Sequence, residues 1–190
     1  MQIKYVIIIQ IGEIIMNRVD SKTQIKRIIL LANLVAVSVI FSYFDKMVSQ
    51  AAFPFLPTAK IGLANIVILL GVYRFEFKET LVMTTLKVVL SGLLIGGLIS
   101  FVISAVASFL SFIGMYVFHK ILKERVSPIS ISVIGGFIHI VAQLLVVNTL
   151  YQVGDAILYY GAIMIFISLI TSVLIGFVSF KLFVFFDKTT

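Results

Sequence analysis

Long runs without a charged side chain constrain this chain more than any other feature. Ile28 to Phe44 runs 17 residues between Arg27 and Asp45, and Ile61 to Tyr73 runs 13 between Lys60 and Arg74. Val88 to His119 continues for 32 residues, Val126 to Gly154 for 29 and Ala156 to Phe180 for 25. A membrane-spanning helix needs about 20 apolar residues at about 1.5 Å rise each. Only 12% of the residues are charged, against about 25% in a soluble domain. The chain lacks the polar surface a soluble core would need. The expected fold is an all-α integral membrane protein with six transmembrane helices in one bundle.

The 32-residue run is too long for one helix and too short for two. It becomes two if the first begins near Glu79 and includes Lys87, with the Gly- and Ser-rich stretch from Gly96 to Ser104 as the break. The predicted helices cover roughly 26–45, 60–75, 79–98, 103–122, 128–149 and 156–183. The domain reading is a six-helix membrane domain over 26–186, preceded by a cytoplasmic or interfacial segment over 1–25 and followed by a tail over 187–190. Residues 1–15, apolar but carrying Lys4 and Glu13, could form an interfacial helix or be a translated leader upstream of Met16.

Lysine and arginine bias sets orientation. With both termini inside, the cytoplasmic side carries twelve basic residues and the outer side only Lys46 and Lys60, leaving Lys87 within the membrane. The predicted location is the cell membrane, multi-pass, with both termini cytoplasmic. The net charge of +7 is thereby explained by topology in a lipid bilayer, and no nucleic-acid partner is expected. Small residues recur every four positions at Gly92, Gly96, Ser100, Ser104 and Ser108, at Ala32 and Ala36, and at Ser132 and Gly136. Such spacing lets helices approach closely, within the bundle or, for helix 1, against a partner.

The stretch "AAFPFLPTAKIGLAN" (Ala51 to Asn65) holds two of the three prolines, Pro54 and Pro57. The run after Lys60 rises only about 20 Å, short of a hydrocarbon core of about 30 Å. The proline segment is therefore expected at membrane depth as an outer lid with Phe53 and Phe55. Irregular backbone is tolerated there when buried in protein or lining a cavity; the alternative is a plain interfacial loop with Lys60 snorkelling outward.

Lys87 lies well inside its helix, where a lysine costs about 2.5–3.5 kcal/mol. It needs a partner, a cavity or an anionic ligand, and no Asp or Glu is central in any predicted span. His139 sits mid-span in helix 5 with Gln143 one turn on and Gly135 and Gly136 one turn before. Asn65 could join the same cavity. The candidate substrate-binding set is Lys60, Asn65, Lys87, His139 and Gln143. With no cysteine and two histidines, no metal site is expected. No paired aspartates, phosphate-cradling Gly-Lys loop, HExxH or GxSxG occurs, so no catalytic residue is assigned and the chain is read as a non-enzyme.

"KIGLANIVILLGVY" (Lys60 to Tyr73), "LKVVLSGLLIGG" (Leu86 to Gly97) and "SPISISVIGGFIHIVAQLLV" (Ser127 to Val146) together resemble the Gx transporter family. That family is also described as heptaprenyl diphosphate synthase component I, and the resemblance covers roughly residues 30–150. Its members resemble S-components of energy-coupling factor transporters. The resemblance implies a six-helix S-component that captures a small micronutrient from outside under a loop between helices 1 and 2. It implies docking on an energy-coupling transmembrane protein with two ATPase subunits, which use the ATP; no cofactor is expected in this chain. Ala32 and Ala36 match the helix 1 docking pattern of S-components. Ile140 stands where the family pattern often has Asn. Two lysines without acidic partners favour an anionic or oxygen-rich ligand. The alternative is a non-catalytic membrane accessory subunit in polyprenyl diphosphate or quinone synthesis.

Overall fold

The computed structural model describes the backbone of residues 2–52, 62–95 and 97–189, and the side chains within these ranges except 2–21, 23, 52, 124 and 185–189. Six α-helices and a short 3₁₀ turn follow in order: α1 (Gln2–Ala52), α2 (Asn65–Arg74), α3 (Phe77–Ile95), α4 (Leu98–Leu122), the turn Lys123–Arg125, α5 (Pro128–Tyr151) and α6 (Ala156–Thr189). Residues 1–34 form one unit and residues 35–190 another. Everything below concerns the second unit unless stated.

Six spans were expected; among the described residues, four segments are long and apolar enough to cross a membrane: Gln24–Ala51, Leu98–Leu122, Pro128–Tyr151 and Ala156–Val184. This is a multi-pass membrane protein. α2 has ten residues and rises only about 15 Å. α3 carries Lys78, Glu79 and Lys87 in 19 residues. The reason for the α2 composition is visible in its packing. Residues Asn65 to Val72 are all buried, and α2 touches α3, α4, α5 and α6. A helix that is hydrophobic all round belongs in an interior.

The longer helices are inverted relative to a soluble bundle. On α1, Val35, Ser38, Ser42, Asp45 and Ser49 are buried, while Ile40, Tyr43, Phe44 and Met47 are exposed. The buried positions recur at three and four residues, one helical face. Thr80, Thr84, Lys87 and Ser91 repeat the pattern on α3, and Ser104, Ser108 and Ser111 on α4. Leu93, Leu94, Leu98, Phe166 and Phe177 face outward, where lipid is as apolar as they are.

Hydroxyl-to-carbonyl hydrogen bonds tie α4, α5 and α6 where small residues meet. Ser111 Oγ donates to Gly135 O at 2.8 Å, Ser132 Oγ to Ser172 O at 2.7 Å, and Ser168 Oγ to Gly136 O at 3.3 Å. Ser132 and Gly136 thus act in packing of the bundle. The four-residue stripe from Gly92 to Ser108 does not run on one helix. Gly97, in an extended conformation, begins α4, so Gly92 and Ser104 lie on different helices. Gly92 instead makes room for the Phe101 ring.

Helix ends follow local chemistry. Pro128 opens α5, with Ser127 Oγ accepting the Ser130 N–H at 3.2 Å, an ordinary N-cap. Glu79 Oε2 accepts the Glu76 N–H at 2.9 Å before α3, the reciprocal arm of a capping box. α1 runs past the expected end at 45 to Ala52. Lys46 Nζ donates to the Ile95 carbonyl at 2.5 Å, placing a cation on the last carbonyl of α3.

The glycine contacts generate a prediction. A β-carbon at Gly176 would lie 2.5 Å from the Ile129 backbone, whereas one at Gly97 meets nothing within 4 Å. Gly176→Ala should lower stability by about 1–3 kcal/mol, as overpacking does, and Gly97→Ala by much less. Thermal unfolding of the purified variants in detergent checks this; equal midpoints for both would show that α5 and α6 are not packed this closely.

Candidate functional site

Five helices send polar side chains to one point. Ser42 and Asp45 from α1, Gly62, Ala64 and Asn65 around the start of α2, Lys87 and Ser91 from α3, Ser104 and Ser108 from α4 and His139 from α5 line a single cavity of about 10 Å³. That is room for about one water molecule. Asp45 is 2% exposed, His139 3% and Asn65 and Lys87 5% each, so the ionisable groups are held inside protein.

The lead-in to α2 builds one wall. Gly62 has a φ of +96°, which an L side chain adopts only at a cost of about 1–2 kcal/mol. A β-carbon there would also lie 3.1 Å from Asn65 Nδ2 and 3.6 Å from His139 Cδ2. The freed backbone points its N–H at Asp45, whose Oδ2 accepts it at 2.9 Å. The Asn65 N–H returns to the Gly62 carbonyl at 2.9 Å, closing the first turn of α2. The positive end of the α2 dipole therefore lies beside a carboxylate.

Lys87 lies about 15 Å along α3 from its start. Its Nζ donates to Asn65 Oδ1 at 3.3 Å. This fixes the Asn65 amide with its oxygen toward the lysine. The other end, Asn65 Nδ2, is buried and has no hydrogen-bond partner among the described residues. The chemistry assembled here is one ammonium, one carboxylate, an imidazole, an amide donor and four hydroxyls. It can bind and orient a small polar group. No cluster of three or more metal-ligating side chains occurs among the described residues.

Of the residues singled out from sequence, Asn65, Lys87 and His139 come together. Gln143 is buried on α5 one turn beyond His139 but does not line the cavity. Lys60, Phe53, Pro54, Phe55 and Pro57 lie outside the described residues. Ala32 and Ala36 are exposed. Ile140 is fully buried and packs with Met164, Leu144 and Ile165, an apolar contact with α6 and not a polar position.

One expectation fails. The charge pattern ends helix 1 at Asp45 and so leaves Lys87 without a central acid. The helix continues for seven residues, and Asp45 shares the cavity with Lys87. The missed signal is periodic: Ser38, Ser42, Asp45 and Ser49 fall on one face of an otherwise apolar helix.

The heptaprenyl diphosphate synthase component I family matches residues 34–182, well over half of the 190 residues. The chain belongs to this family. The match starts at the unit boundary and takes in every helix that lines the cavity. No curated protein and no solved structure matches the chain. The family's description names one component of a synthase, hence one part of a multi-subunit system.

The shared lining predicts energetic coupling between Asp45 and Lys87. Asp45→Asn and Lys87→Met should each destabilise the protein, and the double variant should lose less than the sum, by about 0.5–3 kcal/mol. Unfolding of all four proteins in one detergent measures this. Additivity within about 0.5 kcal/mol would show that the two groups do not act on each other.

Proposed function

We propose that this chain is the membrane-embedded substrate-binding subunit, an S-component, of an energy-coupling factor type uptake transporter. The observation that carries the reading is the cavity itself. Five helices of a lipid-facing bundle spend a buried lysine, a buried aspartate and a buried histidine on one point. Intramembrane ionisable groups are expensive and usually mark a substrate or ion path. A need for packing alone would be met by the serine-to-carbonyl contacts seen between α4, α5 and α6.

The proposed orientation has both termini in the cytoplasm and the cavity opening to the outer side. The ligand is a small, oxygen-rich or zwitterionic molecule. A bare anion suits the site less well, because Asp45 offsets Lys87. Asn65 Nδ2 offers a donor, and Lys87, Asp45 and His139 surround it. Ala32 and Ala36 would face the coupling protein, and ATP would be used by partner ATPases. The chain itself would be non-catalytic.

The family's description favours a second reading, an accessory membrane subunit in polyprenyl diphosphate or quinone synthesis. Co-purification separates the two. Recovery with two ATPases and a membrane coupling subunit supports transport; recovery with a soluble prenyl synthase supports the accessory role.

The site itself has its own test. Lys87→Met and His139→Gln, once shown to be monodisperse on size exclusion, should each reduce ligand uptake into cells by tenfold or more. Lys181→Gln, remote from the cavity, should leave it unchanged. Mass spectrometry of small molecules retained by the wild type and lost by the variants identifies the ligand. Normal uptake by both cavity variants would remove the proposed pocket from the mechanism.

A further inference from the structure

A second cleft, of about 560 Å³, opens at the opposite, basic end of the bundle. It lies between the last turn of α2, the last turn of α4 and Val126. Its size falls within the range of about 300–1,000 Å³ typical of small-molecule sites. Val72, Phe75 and Tyr116 give it an apolar and aromatic floor, and Lys120 and Lys123 stand at its edge. Lys120 and Lys123 are exposed, and Arg125 follows within the same 3₁₀ turn.

Two features set this cleft apart from an ordinary basic rim. Tyr73 and His119 stack with ring centroids 4.3 Å apart. The Tyr73 hydroxyl and His119 Nδ1 are both buried and have no hydrogen-bond partner among the described residues. Buried polar atoms are ordinarily satisfied, and an exception asks for an explanation. Lys123 has a φ of 47°, a conformation that favours glycine. A lysine is held there, at the C-terminus of α4, with its N–H bonded to the His119 carbonyl. Strained non-glycine residues of this kind concentrate at ligand sites.

We infer that this cleft binds the phosphate head of an amphiphile. Lys120 and Lys123 pair with the phosphate charge, as lysines do with phosphate oxygens. Tyr73 and His119 supply neutral hydrogen-bonding capacity behind them. The apolar floor takes the first part of an attached hydrocarbon chain, which continues along the lipid-facing surface. The site is separate from the cavity around Lys87 and stands or falls independently of the transport reading. The phosphate could belong to a membrane lipid or to a soluble phosphate ester, and the two sources are distinguished by experiment.

The full chain, in nanodiscs of phosphatidylcholine, is titrated calorimetrically with dioctanoyl phosphatidic acid, dioctanoyl phosphatidylcholine and inorganic diphosphate. Phosphatidic acid should bind at least tenfold more tightly than phosphatidylcholine. Lys120→Gln, an exposed helical position where folding is not at risk, should weaken it at least fivefold, and Lys120→Arg should restore most of the loss. Tyr73→Phe, which keeps the ring, should weaken it two- to fivefold. Lys22→Gln with Lys26→Gln removes basic charge elsewhere and should leave binding unchanged. Lysine-dependent binding of phosphatidic acid alone identifies a lipid head; equally tight, equally lysine-dependent binding of diphosphate identifies a soluble phosphate. Equal affinity for phosphatidic acid and phosphatidylcholine without diphosphate binding, or an equal fall in the Lys22/Lys26 variant, would overturn the inference.

Discussion

Lipid removes the force that folds soluble proteins. A leucine gains nothing by leaving acyl chains for a protein interior, so helices associate through close packing and hydrogen bonds. The bundle follows from that constraint. Many of its leucines, isoleucines and phenylalanines are turned outward, while a set of serines and threonines with Asp45, Lys87 and His139 is turned inward. Small residues let backbones approach until a serine hydroxyl on one helix reaches a glycine carbonyl on the next. Each such bond contributes only about 0.6 kcal/mol on average in membranes. The arrangement therefore depends on several of them acting with shape, which is why backbone contact at Gly176 matters as much as any hydroxyl.

A short buried helix turns this packing into a site. α2 is too short to span and is enclosed by four others, so its N-terminus falls inside the bundle and not at the surface. An unsatisfied helix start at that depth would be costly. The chain meets the problem with Gly62, whose positive φ turns its N–H to the Asp45 carboxylate. Once Asp45 is inside, Lys87 can be inside as well, because neither charge is buried without an opposite one in the same cavity. The ionisable cluster is thus connected to the architecture: it lies where α2 begins inside the bundle.

Much of this was legible in the residues. Uncharged runs located α4, α5 and α6 well, and the α5 and α6 starts at Pro128 and Ala156 were read correctly, because proline and a preceding Gly-Asp pair mark helix starts locally. Asn65, Lys87 and His139 were found because polar residues inside apolar runs stand out against their neighbours. Asp45 was missed for the same reason. It sits at the edge of an uncharged run, and a charge there was read as a boundary. Only the three- and four-residue spacing of Ser38, Ser42, Asp45 and Ser49 distinguishes a buried polar face from a helix end. The stripe from Gly92 to Ser108 is divided by the turn at Gly97, within the Gly- and Ser-rich stretch expected to break the run. Gln143 shows a further limit. Sharing a helix face with His139 does not put Gln143 in the lining, which gathers around the start of α2.

The size of the cavity says where it must open. At about 10 Å³ it admits no ligand larger than water, so the binding proposed for it requires some wall to move. α4, α5 and α6 are joined by hydroxyl-to-carbonyl bonds and by glycine contacts at backbone distance, and moving them would break packing along the membrane depth. The opposite wall includes polar links, among them Asp45 to the Gly62 N–H and Lys46 to the Ile95 carbonyl. Those links end on groups that a polar ligand can replace, since a ligand donor can serve Asp45 as well as Gly62 does. A ligand that substitutes for a backbone N–H would loosen the α2 lead-in while keeping the carboxylate satisfied. On the proposed function, a ligand would enter from the side of α1 and Gly62, and the charges that stabilise the closed cavity are the same ones that would give it something to exchange with.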